Sequence, residues 1–513
     1  MPSFVGAIDN GTTSSRFLIF DEKGDLVIGH QLEYRQIYPH SGWVEQDPLD
    51  ILGSVVTCID AAIRKFELQG NDIKQLKGIG ITNQRETTVV WDRNTGKPLH
   101  NAIVWSDTRT GDVVHELCES SEKGANAVKD ICGLPITTYF SAVKLRWLLD
   151  NSKEVKEAQD NGTLMFGTVD SWLIYNLTGG VYGGAHVTDV TNASRTMLMN
   201  IRELTWSEEC LKFFGVDSKV LPEIKPSSSL FGEINLNDLE IIKGLPIAGC
   251  LGDQHAALVG QHCFQVGEAK NTYGTGCFLV FNTGEEIVPS ENGLLTTVGY
   301  QFEGEPAAYA LEGSIAVAGS AVKWLRDNMG IINSAEEINA LAESTPDNGG
   351  VVFITAFSGL FAPYWRPDVR GSILGLSQHT TKHHLARATL EATCFQTRAI
   401  IDAMNSDSGK PLKTLRVDGG LSNSDICMQM QANILGIEVS RPQMRESTAL
   451  GAATAAAVHL GVGMWEGGFK AFTERVRERK EVLQKFAPAI QETEREKQYD
   501  LWKKAIDMTL SWS

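Results

Sequence analysis

Apolar positions recur in short runs near the N-terminus and again at the middle of the chain. Val5–Asp9 and Arg16–Phe20 read as two strands joined by the polar turn Asn10-Gly11-Thr12-Thr13-Ser14-Ser15. The device returns in Thr272-Tyr273-Gly274-Thr275-Gly276, which leads straight into the strand-like run Cys277–Phe281. Glycines in such turns let backbone N–H groups approach an anion, and threonine hydroxyls add donors. Two hairpins with Gly/Thr tips, one at the start of each half, predict a duplicated fold that grips one nucleotide from both sides.

Between the hairpins the pattern alternates strands with helices, which marks an α/β class. Ile28–Tyr34 is a further strand, and Asp47-Pro48 predicts a helix start, with Asp47 as the cap and Pro48 in the first turn. Gly78–Thr82 and Val89–Asp92 read as one strand interrupted by Asn83-Gln84-Arg85-Glu86-Thr87-Thr88. That insert is either a solvated bulge or the lining of a site. Tyr139–Asn151 predicts an amphipathic helix, and Met165–Leu177 a strand followed by a helix capped at Asp170-Ser171. Asp253 follows the apolar run Ile247–Leu251 and opens a helical segment. Leu415–Val417 is a strand ending in Asp418-Gly419-Gly420, either an ordinary strand-end turn or a third contact to the nucleotide. Ser447–Trp465, uncharged and rich in Ala, Gly and Thr, predicts a tightly packed buried helix. Gln491–Ser513 predicts a solvent-facing terminal helix.

A chain of 513 residues is too long for one core. We place a boundary at residues 260–268, giving domains 1–260 and 261–513, the second ending in the charged helical tail. A net charge of −17 argues against nucleic acid or an anionic membrane as partner, so any phosphate site must be built locally. The nine cysteines form no CxxC pair, which leaves zinc and a disulfide framework without support and suits a reducing compartment. The start MPSFVGAIDNG has no signal-peptide pattern, no stretch has the apolarity of a membrane span, and the expected location is the cytoplasm.

No segment matches GxxxxGK[ST], and no GxGxxG opens a helix after the first strand, so neither a Walker-type loop nor a dinucleotide fold is supported. The stretches AIDNGTTSSRFLIFD, GITNQRETTVVWD, YFSAVKLRWLLDN, TDVTNASRTM, GDQHAAL, AKNTYGTGCFLVFNTG, YALEGSI and LRVDGG, in this order, resemble the FGGY carbohydrate kinases and within them the glycerol kinases. The resemblance spans about residues 4–465. It implies two ribonuclease-H-like domains of the actin-like ATPase type with a cleft between them. The implied reaction is transfer of phosphate from ATP, with Mg2+, to a small polyol, glycerol, and homodimers are implied as well. The alternatives are another polyol or sugar kinase of the family and, from another class, an ATPase that moves a protein partner. Asn-Gln-Arg-Glu-Thr-Thr stands where sugar-kinase relatives tend to carry a Gly-Gln-Met-His type of sequence.

The resemblance also implies roles residue by residue. Asp253 is the expected general base. Arg85, Glu86, Tyr139, Asp253 and Gln254 are the hydrogen-bonding set around the polyol, with Trp105 and Phe278 as apolar walls. Thr12, Thr13, Ser14 and Arg16 are expected on the transferred phosphate, Asp9 on magnesium, and Thr275, Gly319, Gly420 and Ser424 on the rest of ATP. This chain departs from the usual pattern at Asn10, where Gln is common, at His255, where a second Gln is common, and at Ser424, where Asn is usual and Asn423 stands one position earlier.

Overall fold

A computed structural model describes residues 2–366, 368–479 and 482–512; Met1 and Ser513, the ends of the two expected domains, lie outside the described residues. The first half builds a six-stranded sheet from β1 (Phe4–Asn10), β2 (Ser14–Asp21), β3 (Leu26–Glu33), β4 (Leu76–Asn83), β5 (Ser228–Glu233) and β6 (Pro246–Gly252), in the order β5-β6-β4-β1-β2-β3. The second half builds a seven-stranded sheet from β7 (Ala269–Tyr273), β8 (Cys277–Gly284), β9 (Leu295–Tyr300), β10 (Ala308–Ile315), β11 (Thr414–Asp418), β12 (Glu438–Pro442) and β13 (Leu483–Phe486), in the order β9-β10-β8-β7-β11-β12-β13. Both sheets start from an antiparallel hairpin whose first strand also pairs in parallel with a later strand: β1 with β4, and β7 with β11. The predicted duplication is therefore present in the topology.

Register places the polar segments together. Asn10 of β1 and Gly252 of β6 both pair with Asn83 of β4. The first Gly/Thr turn, the segment 84–88 and Asp253 therefore leave the same carboxyl edge of the sheet. That edge is where open α/β sheets bind their ligands. In the second sheet Thr272, Phe278 and Ser314 lie in one row across β7, β8 and β10, and Lys270, Val280 and Glu312 in the row two positions on. Side chains of paired residues point to the same face, so Phe278 and Glu312, two positions apart in the register, share a face.

The helices used below are α1 (Pro48–Leu68), α2 (Ser141–Asn151), α3 (Val169–Leu177), α4 (Val190–Ala193), α5 (Asp253–Gly260), α6 (Gly319–Asp327), α7 (Lys382–Ser408), α8 (Asp425–Leu435), α9 (Ser447–Leu460) and α10 (Glu492–Trp512). Helix α1 starts as expected, with the Asp47 carboxylate accepting from Leu49 N at 2.8 Å and Pro48 at its first position. The Ala-rich segment is the buried helix α9, packed on β1, β4, β6 and α5 of the first half. Its approach is so close that a Cβ at Gly80 would strike the Ala452 carbonyl, and one at Gly451 the Ala256 carbonyl. One core consequently mixes the halves: Val5, Ala7 and Leu251 pack with Val280, Tyr300, Ala452 and Ala456.

Three expectations about elements need correction. Val89–Asp92 does not resume β4; it pairs with Leu164–Gly167 in a separate two-stranded sheet, because the intervening segment turns the chain away. Thr168 occupies the N-cap position of α3 without a capping bond from its side chain, so Asp170 and Ser171 lie inside the helix and are buried. The terminal helix α10 is not wholly solvent-facing. Tyr499, Trp502, Ala505 and Ile506 are buried on one side, with the Trp502 ring stacked on Phe395 at 5.9 Å, and Arg398 grips Glu496 at 2.7 and 2.8 Å. No helix among the described residues is long and apolar enough to cross a membrane.

Candidate active site

The first turn is held from outside. Gly11 N donates to Ser14 O at 2.9 Å, while the Thr12 carbonyl accepts from Gln46 Nε2 at 2.7 Å and Gln36 Nε2 at 3.0 Å. Tyr34 Oη donates to the Gly11 carbonyl at 2.5 Å, and Tyr34 N to the Thr13 carbonyl at 3.2 Å. These contacts fix the backbone and leave the Thr13 side chain exposed and those of Thr12 and Ser14 half-buried. Asp9 and Ser14 frame the turn. Arg16 pairs across the hairpin with the buried Asp9 and also with Glu446, just before α9; Asp9 foremost raises its already high pKa.

The segment 83–88 settles the choice left open by the sequence: all of its residues are buried, so it is no solvated bulge. Thr87 N donates to the Arg85 carbonyl at 2.7 Å, and Glu86 takes a left-handed φ of 61°. A non-glycine residue held there costs about 1–3 kcal/mol and persists only when its surroundings hold it. The holding groups are evident. Glu86 Oε1 accepts from Arg195 Nε at 2.6 Å, and Ser141 Oγ at the start of α2 donates to the Glu86 carbonyl at 3.0 Å. Arg85 grips Glu312 with both terminal nitrogens, at 2.6 and 2.8 Å, and its Nε lies 3.2 Å from Asp253 Oδ1.

Asp253, at the start of α5, accepts the Gln254 N–H on the same Oδ1 at 2.7 Å. Its Oδ2 has no hydrogen-bond partner among the described residues, and a quarter of the side chain is exposed. Burial pushes its carboxyl up to about 6, with Arg85 pulling the other way. Glu312 meets the opposite outcome: burial pushes up, but Arg195 and Arg85 hold it far below the usual carboxylate range. Next to Asp253, Gln254 accepts from Lys270 Nζ, which also donates to Thr272 Oγ1 at 2.9 Å and the Phe278 carbonyl at 3.2 Å. Burial lowers the Lys270 ammonium to about 8 against the pull of Asp418.

Three aromatic rings pack together. Trp105 packs edge-on against Tyr139 at 5.5 Å and Phe278 at 5.9 Å, and its indole N–H donates to Thr12 Oγ1 at 3.0 Å. The ring cluster is thus tied to the first turn. The guanidinium of Arg195 lies over the Tyr139 ring at 5.6 Å.

The second turn docks on the start of α6. The Thr275 carbonyl accepts from Ala318 N and Ser320 N at 2.9 and 3.1 Å, and Gly319 N donates to the Gly274 carbonyl at 3.0 Å. Gly274 N is likewise used within the turn, on Gly276 O at 2.8 Å. The N–H groups of Gly274 and Gly319 are therefore spent inside the protein; Thr275 is exposed, whereas Gly319 is half-buried and a Cβ on it would lie 2.6 Å from the Gly274 carbonyl. Gly420 is exposed, and a Cβ there would meet nothing within 4 Å. Ser424 is engaged as a helix cap: its Oγ accepts from Cys427 N at 3.1 Å and donates to Asn339 Oδ1 at 2.5 Å. Asn423 is exposed instead, with its side-chain oxygen on Arg445.

The structure thus joins Arg85, Glu86, Trp105, Tyr139, Asp253, Gln254, Phe278 and Thr12 through continuous contacts, and Asp9 with Arg16. Thr275 and Gly319 form a second group, and Gly420 and Ser424 a third at the end of β11. Sequence reasoning missed Arg195, Glu312, Lys270 and Glu446. A signal existed for one of them: Glu312 is the only charged residue in the apolar strand AYALEGSI.

Residues 4–260 match the FGGY family of carbohydrate kinases, N-terminal domain, and residues 269–460 match its C-terminal domain. The chain is 52% identical to the glycerol kinases of Renibacterium salmoninarum and of Pseudarthrobacter chlorophenolicus, each over 512 residues that cover 100% of this chain and 99% of the relative. A crystal structure of Plasmodium falciparum glycerol kinase with ADP superposes with a TM-score of 0.89 at 39% identity, covering 99% of this chain and 98% of that one. At 20% identity the gluconate kinase of Lactobacillus acidophilus still shares the fold, with a TM-score of 0.85 over 100% of both chains. On its sequence along both halves and on its two-sheet architecture, the chain belongs to the FGGY family of carbohydrate kinases.

Proposed function

We propose that the protein transfers the terminal phosphoryl group of ATP to a terminal hydroxyl of glycerol, giving sn-glycerol 3-phosphate. The observation that carries this reading is the free Oδ2 of Asp253 beside Arg85 and Glu86, linked through Gln254 and Lys270 to Phe278, whose ring packs on Trp105 as that of Tyr139 does. A three-carbon triol has three hydroxyls and little apolar surface, so it is recognised by paired donors and acceptors. Leaving one such group unpaired in a closed site costs about 1–3 kcal/mol. Arg85, Glu86, Tyr139 and Gln254 supply that set.

Asp253 orients the attacking hydroxyl and takes its proton late, as the oxygen bonds to phosphorus and the bond to ADP breaks. A carboxyl lifted to about 6 is still ionised at neutral pH, and it is a better base than an ordinary aspartate. Thr12, Thr13, Ser14 and Arg16 meet the transferred phosphate, where Arg16 offsets developing charge. Thr275, Gly319 and Gly420 meet the remainder of ATP, and Ser424 shapes that loop through its cap. Magnesium, when bound, screens the phosphate charges. Its preference for hard oxygen ligands suits Asp9, whose second oxygen has no partner among the described residues, with Glu446 close by across Arg16. We read residues 1–260 and 261–513 as the two lobes of the cleft, and the protein as a cytoplasmic homodimer.

The test is a coupled ADP-release assay with MgATP, with and without glycerol, beside xylulose, gluconate and erythritol. Strong stimulation by glycerol alone is expected. Stimulation by another of these compounds instead would keep the Asp253 base and overturn the reading of Arg85 and Glu86. Slow hydrolysis indifferent to all of them would favour an ATPase that acts on a protein partner.

A further inference from the structure

Resting on that reading, we infer that Glu312 and Arg195 are positioning residues for polyol recognition: Glu312, on the second half's sheet, fixes Arg85, and Arg195 fixes Glu86. The geometry is specific. Glu312 meets Arg85 as a two-pronged pair at 2.6 and 2.8 Å, Arg195 Nε meets Glu86 at 2.6 Å, and Arg195 Nη1 lies 3.4 Å from Glu312, which closes the ring. The four side chains have at most 2% exposure. Two guanidinium groups and two carboxylates balance, so the ring as a whole carries no charge that the interior must neutralise.

A buried ion pair is weak support for stability, because the desolvation of both ions consumes most of their attraction. What such a ring does well is fix direction. Arg85 has five N–H donors. One from each terminal nitrogen goes to Glu312 and Nε faces Asp253, so one N–H on each terminal nitrogen remains for a hydroxyl. Without Glu312 the guanidinium would turn toward the nearest carboxylate, Asp253 at 3.2 Å, and the base would become its partner. Glu86 is held in a left-handed backbone conformation, and Arg195 is the cation that its carboxylate touches at hydrogen-bond distance.

The ring also spans the molecule. Arg85 and Glu86 follow β4 and Arg195 follows α4, all in the first half, whereas Glu312 sits in β10 opposite Val280, two register positions from Phe278. The hydrogen-bonding groups of the polyol site are therefore aimed only when the second sheet is seated against the first.

The experiment compares the parent with Glu312→Gln and Arg195→Met in steady-state kinetics and in the pH dependence of kcat/KM. Both variants are expected to raise KM for glycerol at least tenfold while KM for ATP stays within threefold. In Glu312→Gln the acid limb of the profile should move to lower pH, because Arg85 turns to Asp253. The other charged groups facing Asp253, namely Glu86 and Lys270, are unchanged in that variant. Equal changes in the two KM values, or a lower melting temperature with unchanged KM and acid limb, would reduce the ring to a structural support and overturn the inference. If Glu312→Gln does not fold, Glu312→Asp keeps the charge but withdraws the carboxylate by one methylene, and the same split between the two KM values decides. A parent not stimulated by glycerol would sink the proposed function itself. A parent that is stimulated, with variants that behave like it, would sink the inference alone.

Discussion

The proposed polyol side and the proposed nucleotide side of the molecule are built by opposite means. On the proposed polyol side charged side chains are sealed in: Arg85, Glu86, Arg195 and Glu312 have at most 2% exposure and are paired with one another. On the proposed nucleotide side the expected contacts are mostly small turn residues in the open, with Thr13, Thr275 and Gly420 exposed, beside the partly exposed Arg16. The difference follows from the ligands each side would take. A small neutral triol must be recognised by direction, which demands fixed donors and acceptors. A polyphosphate brings its own charge and metal, so a turn held at the right place is enough.

Changing the base tests this contrast most severely. Asp253→Asn should lower kcat about 10²–10⁴-fold, the usual weight of a positioned base. In the parent, kcat/KM should fall about tenfold for each pH unit below about 6, where the base takes up its proton. Near-normal turnover of a folded Asp253→Asn protein would remove Asp253 from that role. Arg85→Ala comes next. It should raise KM for glycerol far more than KM for ATP, and it leaves Glu312 buried without its two-pronged partner, a loss on the order of 3–5 kcal/mol seen in denaturant unfolding. A matching rise in both KM values would make Arg85 structural.

On the open side effects should be smaller. Thr275→Ala should raise KM for ATP about twofold to tenfold, the range of one net hydrogen bond, without moving KM for glycerol or the melting temperature. A large loss of stability there would contradict the picture of an exposed turn. The smallest effect concerns stability at Asp253. Its folded pKa lies above the ordinary value of about 3.9, so the folded state binds the proton more tightly. The stabilisation this gives is complete below about 3.9 and is lost as pH rises through about 6. Asp253→Asn should therefore melt no lower than the parent at pH 7, and a marked drop would show that the carboxylate stabilises the fold.

Much of the architecture was legible because it is written in local pattern. The two Gly/Thr-tipped hairpins, the Asp47-Pro48 helix start and the Ala-rich buried helix rest on turn chemistry, capping and residue size, all of which act within a few residues. The errors arose where local pattern had two continuations. The apolar run Val89–Asp92 looked like the far half of one strand, and only the pairing with Leu164–Gly167 assigns it elsewhere. The terminal helix looked solvent-facing because its charges outnumber its apolar residues, yet Tyr499 and Trp502 suffice to anchor one side on Phe395.

The sequence by itself determined the α/β class, the duplicated hairpins, the lone carboxylate at Asp253 and, through its order of short motifs, the family. It determined these because each is a property of a few neighbouring residues. Only the tertiary structure decided that the segment 83–88 is buried, that α9 closes the first sheet from the far end of the chain, and that Ser424 is spent on a cap. It also decided that Glu312 meets Arg85 across 227 positions. A charge in a strand reveals that it needs a partner; which partner it finds depends on strand register and on how two sheets are seated, and neither is a local property of the chain.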